Sequence, residues 1–312
     1  LGRIAACLAE HEEAYRLGQQ AGLRDAEARA LGGLGDAYYQ RGHMRTAEDN
    51  FRRCIALCRE NGFDEIEAAN LNMLANTRAY LLQTGQSAHD YGEAIELTGR
   101  LGQQRPHVIG LMGCHAKLEL GDWAGALENI EKALTVIERI GARRFEAWCL
   151  AFKARILAHQ GQRAEALRLA EHGVAICRET GFTFAGPLLL GILSLLCGDA
   201  EKRQAAFDEA EAVLTAGCVS HNYFWFYRDA IEASLNAGEW AEAERLADAL
   251  EQYTRAEPLP WSDFYVGWAR ALAAWGRGER ERESELRRLL ALAEETRFGM
   301  AVPALERALA EV

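Results

Sequence analysis

Apolar residues recur along most of the chain at the three- and four-residue spacing of amphipathic helices. Leu31, Leu34 and Tyr38 share one helix face, and Ala47 and Phe51 share the face of a following helix. The alternation of apolar and polar residues that marks a β-strand is almost absent. The pattern therefore predicts an all-α fold.

Glycines divide these helical segments at a regular interval of about 40 residues. One set that would end helices comprises Gly22, Gly62, Gly102, Gly141, Gly181 and Gly217. A second set falls between its members and comprises Gly42, Gly85, Gly121, Gly161, Gly198, Gly238 and Gly276. Each unit then holds two helices and two turns, which predicts a solenoid of helix hairpins.

We expect one repeat domain over residues 1–312. Its seven complete hairpins would span 24–62, 64–102, 105–141, 142–181, 182–217, 218–255 and 258–299. Residues 300–312 would form a terminal cap. The chain opens without a methionine, and we interpret it as a piece of a longer protein.

The first segment, residues 1–21, is predicted to be the second helix of a hairpin that lacks its first helix. Its apolar residues Ile4, Leu8 and Leu17 then lose part of their natural cover. A homo-oligomer formed through this open N-terminal helix is a possible arrangement.

The unit resembles the tetratricopeptide repeat. The repeat's leucine–glycine pair, tyrosine, alanine, phenylalanine and second alanine correspond here to Leu34, Gly35, Tyr38, Ala47, Phe51 and Cys54. The standard unit has about 34 residues, so helices in these longer units are about one turn longer. The resemblance implies a right-handed superhelical solenoid.

Five stretches carry a second resemblance: 9–12, 28–36, 217–222, 225–232 and 257–263. They are similar to the C-terminal tetratricopeptide-repeat region of large bacterial proteins. Those proteins begin with a class III adenylate/guanylate cyclase domain and continue into an AAA-type ATPase domain. The resemblance covers nearly the whole chain and implies a regulatory or partner-binding role in signalling. Neither the cyclase nor the ATPase domain lies in this sequence.

The negative net charge and the absence of long apolar runs bear on which kinds of partner the chain can bind. The formal net charge is −11, which disfavours binding to nucleic acid or to anionic lipid. No run of 18 or more apolar residues and no signal peptide occurs, so we expect a cytoplasmic protein that does not enter a membrane.

The residue types that carry chemistry are scattered along the chain. The eight cysteines contain no C-x-x-C pair, the lysines follow no phosphate-binding glycine loop, and the histidines are dispersed. We therefore predict no catalytic residues, no metal site and no cofactor.

A candidate groove centres on residues 184–197, which are apolar nearly all round a helix, although a solenoid helix normally keeps a polar stripe. Counting back from the turn glycines assigns to the groove Arg155, Leu188, Ile192, Leu195, Trp225, Arg228 and Glu232. An apolar floor with two guanidiniums suits an anionic or amphipathic peptide-like ligand. The alternative is that superhelical curvature buries this helix among its neighbours.

Three functions stay open at this point. The favoured one is a non-catalytic protein-interaction or regulatory scaffold, whose partner is a protein or peptide, including other domains of its own full-length chain. The second is a small-molecule or peptide sensor that binds in the concave groove. A free-standing enzyme is the least favoured, because no nucleophile, base or metal ligands converge.

Overall fold

A computed structural model describes residues 4–310, and the predicted all-α fold is confirmed: this range contains helices and no strand. The α-helices are α1 Ile4–Ala21, α2 Arg24–Gln40, α3 Met44–Asn61, α4 Asp64–Tyr80, α5 Thr84–Leu101, α6 Gln104–Met112, α7 Cys114–Glu119, α8 Trp123–Ile140, α9 Arg143–His159, α10 Arg163–Thr180, α11 Gly186–Leu196, α12 Ala200–Ala216, α13 His221–Asn236, α14 Trp240–Thr254, α15 Pro260–Gly276, α16 Glu283–Glu295 and α17 Val302–Ala310. Two 3₁₀ turns lie at Arg280–Arg282 and Gly299–Ala301.

Successive helices pack side by side along the chain, as in a helical repeat solenoid. Several helices end at a glycine in the left-handed conformation, including Gly62, Gly102 and Gly141 with φ of 71°, 67° and 65°. Glycine accepts this conformation without the steric cost that a Cβ would add. The local glycine signal therefore sets the turn positions.

Two turns differ from the glycine pattern. The turn between α4 and α5 uses Leu82 at φ 54°, and Gly85 lies inside α5 instead of in the turn. After α15 the left-handed residue is Gly278 at φ 90°, whereas Gly276 is the last residue of the helix. The turn between α4 and α5 is held without a glycine by Thr84 at the start of α5. The Thr84 hydroxyl donates a hydrogen bond to a distant part of the chain, at the seam described below.

The helix expected near residues 105–120 is interrupted at Gly113, which separates α6 from α7. The Tyr91 ring fills the space beside Gly113, and a Cβ there would lie 2.2 Å from it. The break frees the Met112 carbonyl, and the Trp148 indole N–H donates to that oxygen at 3.1 Å. This interruption has no counterpart in the repeat pattern.

Early and late helices of the superhelix meet, and we call their contact the seam. The Glu257 carboxylate accepts hydrogen bonds from the Arg45 backbone N–H at 2.5 Å and the Thr46 hydroxyl at 2.6 Å, at the start of α3. The Thr84 hydroxyl donates to the Thr296 carbonyl at 2.5 Å. Partners in these bonds stand more than 200 positions apart in the sequence. The solenoid is therefore closed into a ring.

Aromatic side chains pack across the inside of the ring. The Tyr80 ring of α4 lies 4.6 Å from Phe224 of α13 and 5.7 Å from Trp261 of α15, measured between centroids. Trp225 of α13 lies 5.1 Å from Phe152 of α9. The Tyr80–Trp261 and Phe152–Trp225 pairs meet edge to face, a geometry that adds to the stabilisation from apolar burial. Residues from distant hairpins thus share one core.

The apolar helix α11 is covered by its neighbours. It packs against α9, α10, α12 and α13, and Leu188 and Ile192 on it are buried. Between residues 4 and 310, no helix has both the length and the apolarity needed to cross a bilayer.

The first helix leaves apolar surface uncovered. Leu17 is 49% exposed and Leu8 is half-buried, whereas the side chain of Ile4 lies outside the described side chains. Association through this helix stays a prediction.

We expect Glu257→Ala to destabilise the protein by about 1–3 kcal/mol, because it removes a charged acceptor from three donors at the start of α3. A matched control is Glu251→Ala, which removes an exposed partner of Arg270. Thermal unfolding measures the loss, and small-angle scattering should show a larger radius of gyration only for Glu257→Ala. Identical behaviour of the two variants would contradict a role for the seam.

Candidate functional site

The inside of the ring holds a cavity of about 480 Å³. Its walls come from α2, α4, α5, α6, α7, α9, α13 and the segment between α10 and α11. The residues that line it are Asp36, Tyr39, Gln40, Met73, Asn76, Tyr91, Arg105, Ile109, Met112, Gly113, His115, Arg144, Phe145, Trp148, Thr180, Gly181, Thr183, Phe184, Val219 and His221. The volume lies in the range of ligand sites, which is about 300–1,000 Å³. The cavity is therefore the candidate site.

One wall is aromatic and held by His221. The His221 ring lies edge-on to Trp148 with 4.7 Å between centroids, and its Nε2 meets the carbonyl oxygen of Phe184. Burial lowers the pKa of His221 to about 4, so the ring is neutral near pH 7. A carbonyl only accepts, so Nε2 carries the proton and Nδ1 accepts from the Tyr39 hydroxyl at 3.3 Å. The His221 side chain is therefore held in place, and both of its ring nitrogens have hydrogen-bond partners.

A second part of the lining carries polar atoms without partners. The Tyr91 hydroxyl and both ring nitrogens of His115 have no hydrogen-bond partner among residues 4–310. His115 is 1% exposed and Tyr91 is 4% exposed. Burial lowers the pKa of His115 to about 4 and raises that of the Tyr91 phenol. An unpartnered buried polar group costs free energy unless water or a ligand satisfies it.

Two exposed guanidiniums stand at the opening of the cavity. The guanidinium carbon of Arg144 lies 4.7 Å from the centroid of the Phe184 ring and 5.1 Å from that of Phe145. The guanidinium carbon of Arg105 lies 5.6 Å from the same Phe145 centroid. No carboxylate in the described part of the chain forms an ion pair with either arginine. Burial lowers the pKa of Arg144, and the neighbouring charge of Arg105 lowers it further. The opening is thus a concentrated positive site.

Asp36 of α2 is the one carboxylate in the lining. Its side chain is exposed to the cavity, yet the protein that surrounds it raises its pKa to about 7. Among residues 4–310 it forms no ion pair, and neither arginine lowers its pKa. The carboxylate therefore stands apart from the two guanidiniums.

The predicted groove residues lie in the core instead of in this lining. Leu188 and Ile192 are fully buried, and Trp225 is 1% exposed. Leu195 is half-buried at the rim of α11. The physical reason is that the neighbouring helices α9, α10, α12 and α13 cover α11, so no face of it is left as a groove. Ligand contact by these residues stays a prediction.

The predicted charged residues form a buried network around Asp229, which is 0% exposed. Arg155 donates to the Asp229 carboxylate, and Arg228 donates to it at 2.7 Å. Arg228 also lies 2.7 Å from the Glu232 carboxylate, and its Nε donates to the Tyr265 hydroxyl at 3.4 Å. Arg155 and Arg228 are thus paired within the core and do not face the cavity.

The cavity arginines escaped the sequence reasoning, although the repeat holds a signal for them. Arg105 is the second residue of α6 and Arg144 is the second residue of α9, 39 positions later. Equivalent positions in adjacent repeats lie side by side. A search for a cation recurring at one repeat position would have found this pair.

Metal ligands do not cluster at the cavity. Within the described range, no three side chains of histidine, cysteine, aspartate or glutamate are placed to hold a metal ion.

Comparisons with known proteins place this fold. Residues 114–179 match the tetratricopeptide repeat family. A search of curated protein sequences found no match.

Two solved structures are similar at low sequence identity. A Rap protein complexed with Competence and Sporulation Factor has a TM-score of 0.62 and 12% identity, covering 99% of this chain and 87% of its own. BtubC (BKLC) from P. vanneervenii has a TM-score of 0.52 and 16% identity, covering 69% of this chain and 92% of its own. The chain therefore contains a tetratricopeptide repeat region within a helical repeat fold.

Proposed function

We propose that the chain is a non-catalytic binding module that takes a peptide, or a segment of a protein, into the cavity inside its closed ring. The observation that carries this proposal is the cavity itself, with an aromatic wall and with Asp36, Arg105 and Arg144 exposed in its lining. Concave, largely apolar cavities with a few convergent polar groups are the usual form of a binding site. The Rap structure, solved with a bound factor, supports binding by a protein of this fold.

The proposed role is regulatory. The stretches that resemble the C-terminal repeat region of cyclase–ATPase proteins support a place for this chain in a bacterial, cytoplasmic signalling protein. A partner could then be another part of the same full-length chain. The full open reading frame tests this part of the proposal: an upstream cyclase domain supports it, and an unrelated upstream domain contradicts it.

Affinity-selection mass spectrometry tests the binding role. Two random tetrapeptide libraries, one with free termini and one acetylated and amidated, are incubated with the protein, and retained peptides are identified. We expect retention by the native chain and at least about tenfold less by Ile109→Trp, which fills the cavity. Leu101→Trp, at an exposed position, is the control. Absence of retention from both libraries would overturn the proposal.

A small-molecule sensor is the second candidate, and the limited cavity volume favours it. A thermal-shift screen with bacterial metabolites distinguishes the two, because a ligand that binds the folded state raises the melting temperature. A metabolite that stabilises the native chain but not Ile109→Trp, together with two inactive peptide libraries, would favour the sensor.

A further inference from the structure

The opening of the cavity has the chemistry of a carboxylate site. Arg105 and Arg144 both lie over the Phe145 ring, and the charge of Arg105 lowers the pKa of Arg144, so the two guanidiniums are near enough to repel each other. Neither has a carboxylate partner among the described residues, although most other arginines in this acidic chain do. Holding two like charges together without a counterion is unfavourable, and a bound carboxylate would relieve it through paired hydrogen bonds.

The α2 side of the cavity has the opposite chemistry. Asp36 accepts no hydrogen bond and forms no ion pair within residues 4–310. The surrounding protein raises its pKa to about 7, which disfavours the ionised form where no cation stabilises it. An ammonium group at this position would supply both the missing charge and hydrogen-bond donors.

Between these two ends the lining is aromatic and aliphatic. Trp148, Phe184 and Ile109 provide apolar surface, and the rings of Tyr91 and His115 add to it. This surface suits the apolar side chains of a bound peptide.

From these observations we infer that the cavity recognises a short peptide by both of its free ends. Arg105 and Arg144 bind the terminal carboxylate, Asp36 binds the terminal ammonium, and the aromatic wall holds apolar side chains. This inference rests on the proposed function, because it names the ligand class of the same cavity. Peptides released by proteolysis carry both groups, whereas an internal segment of a protein carries neither.

The experiment compares the two tetrapeptide libraries on the native protein. We expect peptides with free termini to bind at least about tenfold more tightly than the same sequences with blocked ends, the scale expected for hydrogen bonds to charged groups. Equal binding of both libraries would overturn this inference and leave the proposed function standing. No binding from either library would overturn both.

Peptides blocked at only one end test which residues bind each terminus. The double variant Arg105→Gln, Arg144→Gln should lose the preference for a free carboxylate and keep the preference for a free amine. Asp36→Asn should do the reverse. Arg139→Gln on α8 and Asp25→Asn on α2 are matched controls at exposed positions outside the lining. If both preferences survive the variants, these residues do not bind the termini.

Discussion

Replacing Asp229 with alanine should lower the free energy of unfolding by about 3–5 kcal/mol. The change leaves the guanidiniums of Arg155 and Arg228, 7% and 4% exposed, without their shared carboxylate. Removing one member of a buried charge network costs far more than removing a surface charge, because the remaining charges stay out of water. Urea unfolding followed by circular dichroism measures the loss.

A surface pair gives the matched control. Asp248→Ala removes a carboxylate that lies 2.6 Å from Arg270 at an exposed site, so we expect little change in stability. A midpoint for Asp229→Ala equal to that of Asp248→Ala would show that the network contributes nothing. Arg228→Ala should also lower stability, although the groove predicted from sequence would have left this arginine free to bind ligand.

The second large effect concerns the pH dependence of stability and Glu119. Glu119 is 1% exposed, and neither carboxylate oxygen has a hydrogen-bond partner among the described residues. Burial raises its pKa to about 8 from the ordinary value of 4.5, although nearby Trp261 and Arg228 favour the ionised form. Between about pH 4.5 and 8 the folded state therefore holds a proton that the unfolded state has lost.

The contribution of Glu119 to the free energy of unfolding must then fall as the pH rises through this window, by on the order of 5 kcal/mol in total. Glu119→Gln removes the effect, so the variant should unfold at a higher temperature than the native chain at pH 8. The difference should shrink toward pH 5. Melting temperatures from pH 5 to 9 check this, with Glu295→Gln at an exposed position as the control. Parallel curves for native chain and Glu119→Gln would contradict it.

Two histidines act in the opposite direction at acidic pH. Burial lowers the pKa of both His115 and His221 to about 4 from 6.5. The unfolded state therefore binds protons first, and stability is lost as the pH falls from about 6.5 toward 4. In Glu119→Gln this acid limb should remain, whereas Asp36, whose pKa is raised to about 7, still contributes a loss of stability as the pH rises toward 7.

Local rules made the helices predictable. Apolar periodicity and turn glycines act within one hairpin, so the sequence alone located the helices and most turns. The Leu82 turn and the Gly113 break were missed because packing across hairpins fixes them. The Tyr91 ring leaves no room for a side chain at Gly113, and Trp148 donates a hydrogen bond to the adjacent Met112 carbonyl.

The site was harder to predict because it depends on curvature summed over all repeats. Reading Arg155 and Arg228 as groove residues assumed an open solenoid. Instead, Arg228 pairs with Asp229 beside it on α13, Arg155 of α9 reaches the same carboxylate, and the cations in the cavity lining are Arg105 and Arg144. A one-dimensional pattern records which residues repeat, but not which faces meet once the ring closes.

Ring closure also decides the order in which this protein can mature during synthesis. The contact of Tyr80 with Trp261 cannot form until Trp261 has been synthesised. The hydrogen bond of Thr84 likewise requires Thr296, which is synthesised 212 residues later. At the usual elongation rate of about 5–20 residues per second, that delay is roughly ten to forty seconds. Throughout that interval the aromatic inner face of the N-terminal hairpins is open to other chains. A nascent-chain chaperone should therefore bind this face, and release from it should coincide with the emergence of α15 and α16 from the ribosome.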